Sequence, residues 1–275
     1  MAVLKHIKSR NANYSDALEY LLFQHDEKSG KVLYDDMGRT LLREEYYMDG
    51  LNCEPMAFDV ECKRTNAIFH KNQNQKAIKS HHYIISFDPK DAVECGLTGQ
   101  RAQELSMELT RKIFPGYQAL VVTHTDGDNH SGNIHTHIVI NSVRKYDAPR
   151  EEYMTQPGDH KAGRKHRSTN KFLEHFKKEV MEMCEREGLH QIDLLSPAPE
   201  KVTEAEFRTR ARGQKKMEQM NQAIKKEGLT PTATVFQTQK DFLRKAIKEC
   251  SRIARSFEEF QDFLLEDYNI SVILQ

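Results

Sequence analysis

No stretch of this chain approaches the roughly 20 consecutive apolar residues needed to cross a bilayer, so nothing in it reads as membrane-inserted. The N-terminus, Met1-Ala2-Val3-Leu4-Lys5-His6-Ile7, lacks a long apolar stretch leading to a small-residue cleavage site, and a cytoplasmic location is the expectation. Cysteine is sparse. Cys53, Cys62, Cys95, Cys184 and Cys250 are scattered, odd in number and never spaced as CxxC, which argues against a disulfide frame or a zinc ribbon and reads as reduced thiols. Neither sign of charge is in excess: Lys+Arg and Asp+Glu both number 41. A DNA-binding surface would therefore have to come from local segregation of charge. Internal repeats and low-complexity tracts are also missing.

What is present suits a folded, well-solvated chain. Its 275 residues can bury a core, and 38% hydrophobic with 30% charged residues is neither a disordered nor a membrane composition. Val3 to Ile7 alternate as a first strand, and Tyr14 to Gln24 read as a short helix. Lys31 to Leu41 have the form of two short strands around a turn. His82 to Phe87, closed by Asp88-Pro89, predict a further strand with His82, Ile84 and Ser86 on one face and Tyr83, Ile85 and Phe87 in the core. Thr98 to Phe114 form a helix with a threonine cap and a Pro115-Gly116 stop. Gln118 to His124 and Ile134 to Ser142 are the two best strands, joined as an antiparallel hairpin by a loop rich in Gly, Asp and Asn. After a polar stretch, helical patterns follow at 170–188, 203–228 and 239–267. Tyr268 to Gln275 look like the start of another strand. The first part is thus α+β and the last part nearly all helix.

Histidine, with 13 copies, carries the chemistry. On a strand His135 and His137 project together, while Ile134, Thr136, Ile138 and Ile140 face the other way. His124, on the preceding strand, can reach the same imidazole face. Three neutral imidazoles leaving open coordination positions suit a catalytic metal. Asp126, two residues after His124, is placed to hold an imidazole N–H and fix its tautomer; the alternative is a plain turn residue. His130, in the loop, remains an alternative ligand to His124.

In the helix around Ala17-Leu18-Glu19-Tyr20-Leu21-Leu22, positions 14, 17, 18, 21 and 22 form an apolar stripe, and Tyr20 falls on roughly the opposite side. The adjacent pair Tyr46-Tyr47 is the alternative to Tyr20. Basic character concentrates in residues 160–171, where Lys161, Arg164, Lys165, Arg167 and Lys171 could follow a phosphate backbone.

The ordered set of a Tyr-Leu helix, an H-x-x-x-S-F strand and an H-x-D...N-x-H-x-H hairpin resembles the three motifs of mobilisation relaxases. These are MobA/VirD2-like members of the HUH endonuclease superfamily, and the part beyond resembles relaxases of Gram-positive conjugative elements. The motifs span about residues 1–145. The resemblance implies a central antiparallel sheet flanked by helices, the HUH palm, with a mostly helical part after it. It further implies a nuclease domain over 1–190 and a helical extension over 191–275. The chain reads as a fragment of a longer protein.

By motif position His124, His135 and His137 would hold a divalent ion, Mg²⁺ or Mn²⁺, with Asp126 as the acidic partner and Ser86 touching the DNA. Tyr20 would attack a phosphate and become linked to the 5′ end of the nicked strand. Single-stranded and transfer-origin DNA, accessory DNA-binding proteins and coupling proteins are the implied partners. Two other readings stay open at this point. A zinc hydrolase would use the same histidines without Tyr20, and a non-catalytic origin-binding module would keep only the basic loop.

Overall fold

The computed structural model describes residues 2–26, 31–127, 133–196 and 202–273. They fall into two compact units, 1–197 and 198–275. In the first unit five antiparallel strands form one sheet in the order β1 (Val3–Ser9), β3 (Ser80–Ser86), β5 (His135–Asn141), β4 (Ala119–His124), β2 (Tyr46–Leu51). Helices cover both faces, so this is the α+β palm with a helical part after it.

Period-2 alternation sorts the strands between two cores. Tyr83 and Ile85 of β3, Ile138 and Ile140 of β5, and Val121 of β4 point to one face and are buried there with α4 (Gly99–Ile113) and α5 (Asn170–Arg186). Leu120, Val122 and Val139 point to the other face. They pack against Tyr14 and Leu21 around α1 (Ser15–Leu22) and against Phe58 and Cys62 of α2 (Phe58–Ile68). An eight-residue helix is too short to be stable alone, so α1 depends on this burial. The Tyr14 hydroxyl also anchors it by donating to the carbonyl of Lys79 at 2.8 Å. This second face presents the histidines, and α1 reaches as far as His124, which is fully buried, while His137 is 4% exposed.

Several expectations change. Residues 31–41 form no strands: single bridges pair Phe23 with Leu42, His25 with Val32 and Tyr34 with Thr40 around a turn that the Asp35 carboxylate closes. The edge strand β2 and helix α2 were not expected at all. A short helix, α3 (Pro89–Glu94), follows the Asp88 cap.

In the second unit the pattern expected as one helix over 239–267 is two, α7 (Gln239–Ile253) and α8 (Phe257–Tyr268), because Ser256 caps a new start by accepting from the Glu259 N–H. Residues 269–273 are not a strand. Asn269 adopts φ 55°, a left-handed helix stop, and Ile270 donates back to Leu264. A long helix, α6 (Glu204–Lys226), is tied to α7 by Glu206, which pairs with Lys240 and Arg244.

Candidate active site

Register brings the three histidines together. His124 ends β4 directly opposite His135, which begins β5, and His137 lies two residues further on the same face. Paired and alternate residues share a face, so one ligand atom from each imidazole lies within 4.8 Å of the others. His130 lies outside the described residues.

Hydrogen bonds decide which nitrogen each ring offers. His124 Nε2 donates to the Leu21 carbonyl at 2.8 Å, one of the carbonyls that the end of α1 leaves without a helical partner. Its Nδ1 is left 3.3 Å from Nε2 of His135. His135 Nδ1 donates to the carbonyl of Asn133 at 3.2 Å, leaving Nε2. His137 Nδ1 pairs with Nε2 of His82, across the neighbouring strand, at 2.7 Å.

Burial pushes His124 down to about 3, with the Arg43 guanidinium and His135 adding to the effect. Burial also holds His137 well below its ordinary value, helped by His82 and the other two rings. Three imidazoles, two of them held neutral by burial and each with its second nitrogen engaged, are a donor set that fits a metal ion with positions to spare.

Tyr20 is 47% exposed, on the side of α1 away from the buried Tyr14, Leu21 and Leu22. Its ring centroid is 6.1 Å from that of His137, edge to face, and 5.4 Å from that of His25. Of the alternative tyrosines, Tyr46 stands opposite His124 on β2 but packs into the core under α1 and α2. Tyr47 turns to the other face and donates to the Glu45 carboxylate at 2.7 Å. Ser86 stands opposite His135, on the histidine face.

One expectation needs correction. Asp126 does not hold an imidazole: its carboxylate is ion-paired with Arg43, and the imidazole N–H groups go to Leu21, Asn133 and the His82–His137 pair. The strand ladder stops at His124, so the rule that alternate residues share a face no longer applies two residues later.

The basic loop, in turn, is remote from the triad. Val143 bridges Lys165 two residues past Asn141, the end of β5 that lies about 20 Å along the strand from His135 at 3.3 Å per residue. Lys165 is half-buried and donates to the Ile78 carbonyl at 2.7 Å, and Lys161 pairs with Asp147. Arg167 lies 4.0 Å from Asp159, while Arg164 packs over Gly158. Lys171 is exposed on α5.

The sequence reading missed the part played by His82, whose face was legible but whose neighbour was not. It also missed Arg43 and His25, which border Tyr20 in an open cleft of ≈ 500 Å³. A second group, Asp91, Cys95 and His190, brings ligand atoms together as well. There Asp91 already accepts from the His190 backbone and ring, and Glu94 takes the other ring nitrogen.

The family description "Relaxase: MobA/VirD2-like, nuclease domain" matches residues 36–189, more than half of the chain. The chain belongs to the MobA/VirD2-like relaxase family. Among curated relatives, a protein rlx of Staphylococcus aureus is 28% identical over 217 residues, covering 79% of this chain and 52% of that protein. A second protein rlx of the same organism is 34% identical over 140 residues, covering 51% of this chain and 36% of the relative. This relaxase chain thus spans about half the length, or less, of the curated relatives it matches.

Solved structures with some likeness include the conjugative relaxase TrwC in complex with oriT DNA, copper-bound, at 12% identity and TM-score 0.40 over 97% of this chain and 98% of that one. Another comes from the molecular basis of vancomycin resistance transfer in Staphylococcus aureus, at 12% identity and TM-score 0.39 over 74% of this chain and 100% of that one. Likeness at this level adds nothing to the fold described above. Among the described residues no helix is long and apolar enough to cross a membrane.

Proposed function

We propose that this relaxase unit nicks one strand at a transfer origin by attack of the Tyr20 hydroxyl on a backbone phosphate, to start conjugative transfer or mobilisation. The observation that carries the reading is the placement of Tyr20. An exposed tyrosine that its own helix does not need for packing lies edge-on to the buried His137 and lines the neighbouring cleft. The tyrosine oxygen forms a new bond to phosphorus, the bond from phosphorus to the 3′ oxygen breaks, and the proton lost by the phenol is balanced by one gained at the released 3′ hydroxyl. The product is a 5′-phosphotyrosine and a free 3′ end. Because the phosphodiester energy is kept, the strand can be passed on and rejoined without ATP.

A phenol has a pKa near 10 and needs help to react at neutral pH. A divalent ion held by His124, His135 and His137 would polarise the phosphate and stabilise its developing charge. Of the two ions expected, the all-imidazole set suits Mn²⁺ better than Mg²⁺, which prefers oxygen donors. His82 and the carbonyls of Leu21 and Asn133 keep the donor nitrogens turned inward. Asp126 acts by holding Arg43, and Ser86 is placed to touch the DNA backbone beside His135. Lys161, Arg164, Arg167 and Lys171 would serve only as outlying contacts to a strand that continues to the far end of the sheet. Transfer-origin DNA, accessory DNA-binding proteins and coupling proteins are the partners this function requires.

The test is incubation of the protein with end-labelled single-stranded origin oligonucleotides and Mn²⁺ or Mg²⁺, with denaturing gels to find a covalent adduct and peptide mass spectrometry to locate it. An adduct on Tyr20 supports the reading. Cleavage that yields free 5′ phosphate with no protein-linked species would mean a metal hydrolase instead, and binding without cleavage would mean an origin-binding module.

A further inference from the structure

We propose that Arg43 binds the phosphate at which the strand is cut, an inference that rests on the nicking reading above. Arg43 follows the bridged segment that runs beside α1, and its backbone N–H donates to the Leu22 carbonyl at 2.9 Å, so it is fixed next to the helix that carries Tyr20. Together with Tyr20, His25 and Thr125 it borders the open cleft.

The charges of that cleft make the case. Asp26, Glu44, Glu45 and Asp126 also border it, and Arg43 is the one lysine or arginine among the described lining residues. A DNA phosphate entering such a cleft is repelled unless a cation receives it, and a guanidinium can do so with two parallel N–H donors. Glu45 is already engaged by the hydroxyls of Thr125 and Tyr47.

Nor is the guanidinium saturated by the protein. Nη1 pairs with Asp126, a residue whose side chain is half exposed, while the buried Nε–H has no partner among the described residues. That Nε–H is closed to solvent, so a phosphate would be met from the Nη edge, where the half-exposed Asp126 is a partner that a phosphate can share or displace. Asp126 then acts as the tether that aims it.

The experiment compares Tyr20→Phe with Tyr20→Phe/Arg43→Gln, in chelator so that no cutting occurs, by fluorescence anisotropy on two oligonucleotides. One is native. The other carries a neutral methylphosphonate at the cut position, mapped beforehand from the adduct the parent protein makes. On native DNA the Arg43→Gln change should weaken binding about 10- to 100-fold, the range for removing charge-assisted bonds. On the methylphosphonate it should cost less than about threefold, because the charge it met is gone.

The comparison is made on the same pair of proteins, so a general loss of folding would weaken both oligonucleotides equally and count against the proposal, as would no weakening on either. Arg43→Lys, which keeps the charge and loses the fork, should fall between. A parent protein that forms no adduct on any origin oligonucleotide overturns the nicking reading and this inference with it. A parent that forms one while Arg43→Gln shows no phosphate-specific loss overturns this inference alone.

Discussion

Replacing His82 with alanine should weaken metal binding by one to two powers of ten without touching any of the three proposed ligands. His82 Nε2 lies 2.7 Å from Nδ1 of His137, and His137 is 4% exposed. For His137 to offer Nε2 to an ion, its Nδ1 must carry the proton and donate it to His82. Removing that acceptor leaves a buried N–H unmatched, which costs about 1–3 kcal/mol. At 1.4 kcal/mol per tenfold, that is roughly a 5- to 150-fold rise in Kd. The same range, about 10- to 100-fold, is typical when the outer partner of a ligating histidine is removed. Competition between the protein and a fluorescent chelator for Mn²⁺ would measure it. Gln at position 82 keeps an acceptor and should restore affinity to within a few-fold, and excess Mn²⁺ should recover adduct formation by the alanine variant. An unchanged Kd for His82→Ala, with His135→Ala as the control that loses binding, would refute the idea that His82 sets the His137 tautomer.

Phenylalanine at position 20 removes only the attacking oxygen, so Tyr20→Phe should keep metal and DNA affinity and form no adduct, while Tyr46→Phe and Tyr47→Phe stay active. Peptide mapping to another tyrosine would reject that assignment. Neutralising Lys161, Arg164, Arg167 and Lys171 together should flatten the salt dependence of single-strand binding by about 0.7 log-log units for each phosphate no longer neutralised. Lys165→Gln should instead lower thermal stability, since its ammonium satisfies the Ile78 carbonyl; a slope unchanged in the quadruple variant would remove the loop from the DNA path. Burial holds His81 and His124 near 3 in the folded chain against 6.5 in the free side chain. Below pH 6.5 the unfolded chain therefore binds more protons, and stability of the metal-free protein should fall as pH drops toward 4, by at most about 1.4 kcal/mol per pH unit for each such histidine. Denaturation midpoints that stay level between pH 6.5 and 4.5 would contradict this.

Where a site depends on local periodicity, the sequence is enough to read it. His135 and His137 share a face because strands alternate, the loop between β4 and β5 predicts the hairpin that returns His124 to them, and the helical stripe that excludes Tyr20 is visible within two turns of α1. The same alternation places Tyr83, Ile85 and Phe87 in the core. What escaped is whatever depends on which strand lies beside which. That β3 neighbours β5 is a non-local pairing, so His82 could be assigned a face but not a partner. Strand β2 was hidden because Asp49-Gly50 in its middle reads as a turn, yet pairing with β4 keeps it extended. Helix α2 has too mixed a pattern for periodicity to find.

Asp126 was placed by its distance along the chain. It is two residues from a ligand, which would put it on the same face only if the strand continued, and it does not. Basic residues 160–171 follow the histidine strand closely in sequence, yet the intervening segment leaves β5 from the end opposite the triad. A strand moves the chain about 3.3 Å per residue, so seven residues of β5 are enough to separate this charge cluster from the histidines. Among the described residues, the lysine or arginine that lines the cleft with Tyr20 is Arg43, 83 residues before its partner Asp126. No local pattern could have joined those two, because they meet only once the bridged segment after α1 has folded back against the end of β4.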